Sequence, residues 1–414
     1  MSTAPRIAIL GLLGSGNLGN HASFEAMLGF LREQHPDSPI TCVCSGPEEV
    51  RRQYGIPSMS ITWYEPRRAG RGRLSSRAAK AFGKVADLVR TPLWVRKYDI
   101  VIVPGMGVLE TTLQLRPWGW PYALFLVFLS GRLLGTRTAL VDVGANVTRE
   151  LSIRWLFGTT ARLATYRSYR DEPSRQALAT MGVDVSGDEV YPDLAFALPR
   201  PPAAPGAPSR TVALGVMAYR GANADRDRSD EVYTGYVGRI TEFARWLVDE
   251  GYRVRLITGD PSDQEVVSAV VDDLRRTRPG LADERLVNEP AASFGELMDQ
   301  LAGVDLVVAS RFHNVLAALK LAIPTISISY AAKNDVLLAE TRLAEFRQPI
   351  QSLDVQRLIE QFRALELRAP QLRPEIEHKL TEYTDALGRQ YGELSSALFG
   401  PVRRHRIHAL IKEA

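Results

Sequence analysis

Short, continuous apolar runs alternate with helix-like patterns along most of the chain. The first run, residues 6–11, is followed by apolar residues at spacings of three and four, from about Asn20 to Leu31. The next run is residues 39–44. This β-α-β order predicts a parallel sheet that is covered by helices.

Two further apolar runs extend the same pattern. Residues 99–103 lead into Gly105, and residues 138–143 lead into Gly144. Uninterrupted apolar strands are typical of sheets buried on both faces. Open sheets of this kind bind ligands at the carboxyl ends of their strands, so the glycine turns are candidate ligand-contacting segments.

A proline-rich segment divides the chain. Residues 199–208 contain five prolines and one glycine, a composition that predicts a stiff linker. Beyond it the apolar runs resume, and the last forty residues are predicted to be helical. The sequence therefore predicts two Rossmann-like α/β domains that face each other across a cleft. The predicted boundaries are 1–198 for the N-terminal domain, 199–208 for the hinge, 209–370 for the C-terminal domain and 371–414 for a helical segment.

The composition is consistent with a two-domain α/β protein. A chain of 414 residues is long for one hydrophobic core, and 45% apolar with 24% charged residues is typical of a soluble globular protein. Lys and Arg number 51 against 47 Asp and Glu, a net charge of +4. So small an excess does not indicate a nucleic-acid-binding protein.

The N-terminus lacks the features of a signal peptide, and the longest apolar stretch, residues 122–129, is far below the roughly 20 residues that span a bilayer. Cys42 and Cys44 are predicted to be buried, unpaired residues of one strand, because so short a loop closes badly into a disulfide. No further zinc ligands lie nearby. These features predict a cytoplasmic protein.

One segment is strongly basic. Residues 67–97 contain ten Lys or Arg and a single acidic residue, Asp87. The segment is either a solvated surface or a surface for anionic lipid head groups or a diphosphate-linked glycan, to which residues 403–406 could add. The second interpretation predicts peripheral contact with the inner face of the membrane.

The first glycine turn, residues 11–20, is a candidate ligand site. Gly14 and Gly16 let backbone N–H groups approach a ligand, and a helix N-terminus that favours anions follows. Asn17 could position a substrate. From Gly14 to Gly19 the turn also fits a dinucleotide fingerprint, but the second strand lacks the acidic residue that NAD binding needs, which disfavours a nicotinamide enzyme.

A second candidate site lies between a strand and a helix at residues 309–314. Ser310 is predicted to be the N-cap of the helix, and the Arg311 guanidinium can hold a carboxylate or phosphate. The imidazole of His313 titrates near neutral pH. A helix N-terminus disfavours its protonated form, and a bound anion reverses this effect. We therefore expect His313 to become an acid only when an anionic substrate binds.

These residues carry a family resemblance. Residues 310–314, followed by 321–330 and Lys333, resemble the polysaccharide pyruvyl transferases, in which an Arg-x-His segment precedes a helix, a Gly-x-Pro turn and a strand that ends Ser-Tyr. Ala322 stands where that turn often has glycine. Four other segments are similar to the same family in the same order: residues 16–20, 104–107, 169–174 and 192–195.

The resemblance implies a two-domain fold like that of the GT-B glycosyltransferases, with a phosphoenolpyruvate site in the cleft. It implies that His313 protonates the methylene carbon and that Arg311 and Arg170 hold the phosphate or carboxylate. The acceptor would be a sugar or a lipid-linked glycan of a cell-surface polysaccharide, and neither cofactor nor metal is required. The residues expected to bind substrate are Gly14, Gly16, Asn17, Gly105, Ser310, Asn314 and Lys333.

Two other functions remain open on the sequence. One is a GT-B nucleotide-sugar glycosyltransferase, and the other is a non-catalytic glycan-assembly protein. The acceptor sugar, and whether the product is a ketal or an enol ether, are not specified by the motifs.

Overall fold

The computed structural model describes residues 4–62, 73–111, 116–202, 210–221 and 227–400, with no description of the side chains of residues 73–81. Parts of the predicted hinge and of the basic segment, and the whole of residues 401–414, lie outside these ranges.

The first half of the chain forms a parallel sheet, here called the N-terminal sheet. Its strand order is β3-β2-β1-β4-β5-β6-β7. The strands are β1 (Ile7–Gly11), β2 (Ile40–Cys44), β3 (Ser58–Ser60), β4 (Ile100–Pro104), β5 (Arg137–Val143), β6 (Tyr166–Tyr169) and β7 (Glu189–Val190). The connecting helices are α1 (Leu18–Gln34), α2 (Pro47–Tyr54), α3 (Arg73–Val95), α4 (Trp120–Leu134), α5 (Leu151–Leu163) and α6 (Glu172–Thr180). A short 3-10 helix, Leu194–Ala197, follows.

The second half forms the C-terminal sheet, which is also parallel and has the order β10-β9-β8-β11-β12-β13. Its strands are β8 (Thr211–Gly215), β9 (Arg253–Ile257), β10 (Leu286–Val287), β11 (Leu306–Ala309), β12 (Thr325–Ser329) and β13 (Arg347–Pro349). The helices are α7 (Ser229–Asp249), α8 (Gln264–Thr277), α9 (Phe294–Leu301), α10 (Phe312–Lys320), α11 (Ala332–Glu340) and α12 (Val355–Phe399).

Both sheets follow from the apolar runs in the sequence. The central strands β1, β4, β8 and β12 are buried along their whole length, as expected where helices cover both faces. In each sheet the strand order reverses beside the first strand, which opens a crevice at the carboxyl ends of the central strands. The predicted fold class, two Rossmann-like units with a C-terminal helical segment, is confirmed.

The long helix α12 begins at Val355, well before the predicted residue 371, and continues through Pro370 and Pro374. Proline usually ends or kinks a helix, which is why the pattern placed the start too late. Packing overrides this preference. Near its start, Phe362 contacts Trp246 beside the C-terminal sheet, with ring centroids 5.5 Å apart. Near its end, Tyr391 stacks on Phe30 of α1 at 4.2 Å.

Two smaller predictions can be compared with the fold. Cys42 and Cys44 are buried, unpaired thiols of β2, as predicted. Within the described ranges, none of the helices combines the length and the apolar character that crossing a bilayer requires.

Candidate active site

A cavity of about 820 Å³ lies between the two sheets, at the carboxyl ends of their strands. The N-terminal sheet contributes the segments after β1, β4 and β6, and the C-terminal sheet those after β8, β9, β11, β12 and β13. The residues that line the cavity are Leu12, Asn17, Asn20, Gly107, Glu110, Thr111, Arg170, Met217–Gly221, Gly259, Asp260, Ser262, Arg311–His313, Tyr330, Ala331, Lys333 and Gln351. The cavity therefore brings together five of the predicted site residues: Asn17, Arg170, Arg311, His313 and Lys333.

Gly14 and Gly16 of the first turn lie outside this lining and allow close packing against other loops. A Cβ on Gly14 would lie 2.3 Å from the Cα of Gly46, and a Cβ on Gly16 would lie 2.6 Å from the ring of Pro261. Both glycines also have positive φ angles, +93° and +77°, which side chains disfavour. Gly14 joins two loops of the N-terminal sheet, and Gly16 lets that sheet approach the C-terminal one.

Two N–H groups in the first turn of α1 are already bonded to groups outside the helix. The N–H of Leu18 donates to the carbonyl of Gly259 across the cleft, at 3.1 Å. The N–H of Asn20 donates to the side chain of Asn17 at 3.2 Å. The expected anion site at this helix is therefore not supported, while Asn17 and Asn20 remain available as polar walls of the cavity.

His313, the second residue of α10, packs across the cleft onto α1. A Cβ on Gly19 would lie only 1.9 Å from Nδ1 of His313, so the ring rests directly on the glycine backbone. On its other side, Nε2 is 3.9 Å from Oδ2 of Asp193 and makes no hydrogen bond. The ring is thus held by both halves of the molecule while one nitrogen stays without a partner.

Burial, reinforced by the positive charges of Arg170 and Lys333, holds the pKa of His313 well below its usual range, and Glu110 opposes this only in part. The imidazole is therefore neutral at neutral pH when no ligand is present. The position of His313 at a helix N-terminus favours the same neutral form. An anion placed beside the ring would counter the two cations and raise the pKa.

Arg170, Glu110 and Lys333 form a cluster against the ring of Phe312. Arg170 is ion-paired with Oε1 of Glu110, and Nζ of Lys333 lies 3.6 Å from Oε2 of the same carboxylate. The Arg170 guanidinium and the Lys333 ammonium lie 5.4 and 5.5 Å from the Phe312 ring centroid, within cation–π range. Two cations from opposite sides of the cleft thus share one carboxylate and one aromatic ring.

Arg170 is held in a fixed position. Asp171 and Asp193 lie 3.6 and 3.9 Å from its guanidinium. Burial lowers the pKa of Arg170, but Glu110, Asp193 and Asp171 outweigh that effect and raise it. A Cβ on Gly144 would lie 2.4 Å from Nη2, so the guanidinium fits only because residue 144 is glycine.

Arg311 is bound to a buried carboxylate. Its Nε and Nη2 donate to the two oxygens of Asp263, at 2.9 and 2.5 Å. Burial lowers the pKa of Arg311, and the bonds to Asp263 more than offset this and raise it. Asp263 also accepts from the backbone N–H groups of Ala218 and Gly259. One edge of the guanidinium is thereby committed to the protein, and Nη1 is not bonded to Asp263.

Three predicted binding residues lie behind the cavity wall. Ser310 is fully buried and bonds the hydroxyl of Tyr236 at 2.7 Å. Its predicted N-cap role is wrong, because the N-cap is Arg311 and no side chain caps the helix. Asn314 is also fully buried, against the backbones of Gly215 and Gly259, and Gly105 packs on Ser23.

The N-termini of α10 and α11 both reach the cavity lining. The N-cap residues Arg311 and Ala331 form part of the wall, and neither helix start carries a side-chain cap. Free N–H groups and the helix dipole favour an anion at such positions.

Two carboxylates at this site were not predicted. Glu110 follows the glycine turn after β4, and Asp263 ends the segment after β9. Their positions just past buried strands were the available signal, but neither matches a motif noted in the sequence. Among the described residues there is no group of three or more His, Cys, Asp or Glu that could hold a metal ion.

The sequence profile of the polysaccharide pyruvyl transferases matches residues 17–331, more than half of the chain. The chain belongs to the polysaccharide pyruvyl transferase family. The match covers four of the five predicted residues that line the cavity. The fifth, Lys333, lies two positions beyond the end of the match. No curated protein matches the chain in sequence.

Solved structures share the fold at low sequence identity. A Staphylococcus aureus MnaA–UDP complex has a TM-score of 0.61 at 12% identity, with 96% of this chain and 98% of that chain covered. A Listeria monocytogenes protein described as a putative UDP-N-acetylglucosamine 2-epimerase gives 0.61 at 15%, covering 96% and 98%. HepE of Anabaena in complex with UDP-glucose gives 0.58 at 11%, covering 95% and 100%. These likenesses show that this family member has a GT-B-like fold.

Proposed function

We propose that this protein transfers the pyruvyl group of phosphoenolpyruvate onto hydroxyls of a sugar in a polysaccharide or glycolipid precursor. The product would be a pyruvate ketal, released together with phosphate. The observation that carries the proposal is the position of His313, whose imidazole lines an interdomain cavity together with Arg170, Lys333 and Arg311.

The cavity suits a small, multiply charged donor. Phosphoenolpyruvate carries a phosphate and a carboxylate, and the two uncapped helix starts at Arg311 and Ala331 offer N–H groups to such anions. Lys333 and Arg170 supply charge from opposite walls, and Glu110 lies between them. The cavity chemistry thus supports the proposal of an anionic donor.

His313 is the proposed general acid. Binding of the donor raises its pKa, so that the imidazole becomes protonated beside the substrate. It then gives its proton to the methylene carbon, which becomes a methyl group and leaves a cation at the adjacent carbon. A sugar hydroxyl attacks that carbon and loses its proton, phosphate departs, and a second hydroxyl closes the ketal. The proton of the first hydroxyl replaces the one that His313 donated, and the proton of the second hydroxyl leaves with the phosphate, which departs as hydrogen phosphate.

The test is phosphate release from phosphoenolpyruvate in the presence of a panel of sugar acceptors, with mass spectrometry for an acceptor that has gained a pyruvyl ketal. His313→Gln should lower the rate by about 10²–10⁴-fold, the usual contribution of a placed acid. His378→Gln, at a histidine that is 81% exposed on α12, is the matched control and should leave the rate unchanged.

Thermal shift measurements separate binding from chemistry. Phosphoenolpyruvate should raise the melting temperature of both variants and of the parent protein. Protection by a nucleoside diphosphate but not by phosphoenolpyruvate would contradict the proposal and favour a nucleotide-sugar glycosyltransferase. Protection without turnover in the parent protein, whatever the acceptor, would favour a non-catalytic glycan-assembly protein.

A further inference from the structure

Exposed apolar side chains are concentrated on one part of the N-terminal sheet. Among the described residues, twelve large apolar side chains are exposed, and eleven of them lie between residues 82 and 155. The remaining one is Leu367 on α12. Scattered apolar residues are normal on a surface, but a concentration of this kind marks an interaction site.

Helix α3 contributes a continuous stripe. Phe82, Val85, Val89 and Leu93 follow each other at spacings of three and four, and each is between 47% and 64% exposed. The opposite face of α3 is buried and carries Asp87. The helix is therefore amphipathic in an unusual sense, because its outward face is apolar.

Helices α4 and α5 extend the apolar surface. Helix α4 packs between α3 and α5, so the three helices form one layer over the sheet. Leu133 near the end of α4 is 74% exposed, and Leu151 and Trp155, one turn apart on α5, are 77% and 59% exposed. We call the outward face of α3, α4 and α5 the outer apolar face.

The charge around this face is positive. The sequences of α4 and α5 contain Arg132, Arg154 and Arg162 and no acidic residue. In the described part of α3 the acidic residue is Asp87, which is buried and lies within 4 Å of Lys84 and Arg90. The acidic residue of α3 is thus buried away from the outer apolar face, and the arginines of α4 and α5 outnumber the one acidic residue beside Leu151, Glu150.

We infer that the outer apolar face docks on a bilayer surface that carries anionic lipid head groups. Apolar side chains enter the head-group region, tryptophan prefers that depth, and Lys and Arg attract the anionic lipids. The part of the basic segment that the structure describes, residues 73–97, includes α3.

Two loops at the carboxyl end of the N-terminal sheet, the end where the cavity lies, carry further exposed apolar residues and are here called the rim loops. Trp118, 66% exposed, lies in the β4–α4 connection that carries Glu110 into the cavity. Val147, 50% exposed, lies in the β5–α5 connection just after Gly144, which contacts Arg170. A docked molecule would thus hold these two rim loops near the lipid surface. If the proposed transfer reaction is correct, a lipid-linked sugar could reach the cavity there.

The test is flotation of the full chain with vesicles of phosphatidylcholine alone or mixed with phosphatidylglycerol. We expect binding to the mixed vesicles, weakening as salt is raised, and little binding to phosphatidylcholine alone. The double variant Val89→Ser/Trp155→Ser should reduce the bound fraction by about tenfold or more, since each side chain loses apolar area that enters the membrane.

Leu367→Ser is the matched control, because Leu367 is 79% exposed but lies outside the outer apolar face. It should bind vesicles as the parent protein does. Equal binding by the double variant and this control, binding that is independent of phosphatidylglycerol, or a dimer in solution that the double variant abolishes without vesicle binding would each overturn the inference. The assay needs no substrate, so its result is independent of the proposed reaction.

Discussion

The contact between His313 and Gly19 makes a quantitative prediction for Gly19→Ala. The new Cβ would lie 1.9 Å from Nδ1 and 2.0 Å from Cε1 of the imidazole, whereas an ordinary contact begins at 3.4 Å. The ring must therefore move by about 3.4 − 1.9 = 1.5 Å. A misplacement of about 1 Å at a reacting group can cost about 10²-fold in rate, and we expect a loss of that order in phosphate release from phosphoenolpyruvate.

Gly29→Ala is the matched control within the same helix. Gly29 is exposed, and a Cβ there would meet no atom within 4 Å. Both substitutions gain about 1 kcal/mol of helix propensity, but only Gly19→Ala adds an overpacking cost of about 1–3 kcal/mol. Urea unfolding should therefore show a difference of about 1–3 kcal/mol between the two variants.

Removing the imidazole isolates the cause of this difference. In a His313→Ala background the new methyl group meets no ring, so Gly19→Ala and Gly29→Ala should have nearly the same effect on the free energy of unfolding. If the difference persists without the imidazole, or if Gly19→Ala keeps full activity, the proposed contact does not position His313.

Two further predictions concern charge. Glu110→Gln removes the carboxylate that partly supports a protonated His313, so the pKa of His313 in the free enzyme should fall further. The descending limb of the kcat/KM–pH profile should therefore move to lower pH, and an unmoved limb would contradict the assignment of His313 as the acid. Burial, with a contribution from Arg200, lowers the pKa of Lys320 from 10.5 to about 8. Because the unfolded chain keeps that proton up to a higher pH, stability should rise by as much as about 3 kcal/mol between pH 8 and 10.5 in the parent protein. Urea unfolding should show no such rise in Lys320→Met, and an equal rise would exclude Lys320 as its source.

The central strands were predictable because a strand buried on both faces must be apolar throughout. The strands at or near the sheet edges were not. Ser58–Ser60, Glu189–Val190 and Arg347–Pro349 are two or three residues long and carry no continuous apolar run. Their backbone groups pair because a neighbouring strand is already in place, which local sequence does not encode.

The same distinction applies to the site. His313, Arg311 and Arg170 could be chosen because they stand just past strand ends in recognisable motifs. Glu110 and Asp263 depend on partners 60 and 48 residues away, so their roles became visible only in three dimensions.

The glycines of the first turn illustrate a different limit. A glycine permits close approach, but the sequence does not say what approaches. At Gly14 and Gly16 the neighbours are Gly46 and Pro261, and at Gly19 the neighbour is the imidazole of His313. The dinucleotide-like spacing therefore reflects contacts inside the protein.

Helix α12 limits how the two sheets can move apart. The start of α12 packs beside Trp246 near the C-terminal sheet, and its end packs on Phe30 near the N-terminal sheet. The chain, which passes from the first sheet to the second through residues 199–208, therefore returns to the first sheet along α12. Any widening of the cleft must then bend this helix. Pro370 and Pro374 lack N–H donors, so α12 bends most readily around them, between its two packed ends.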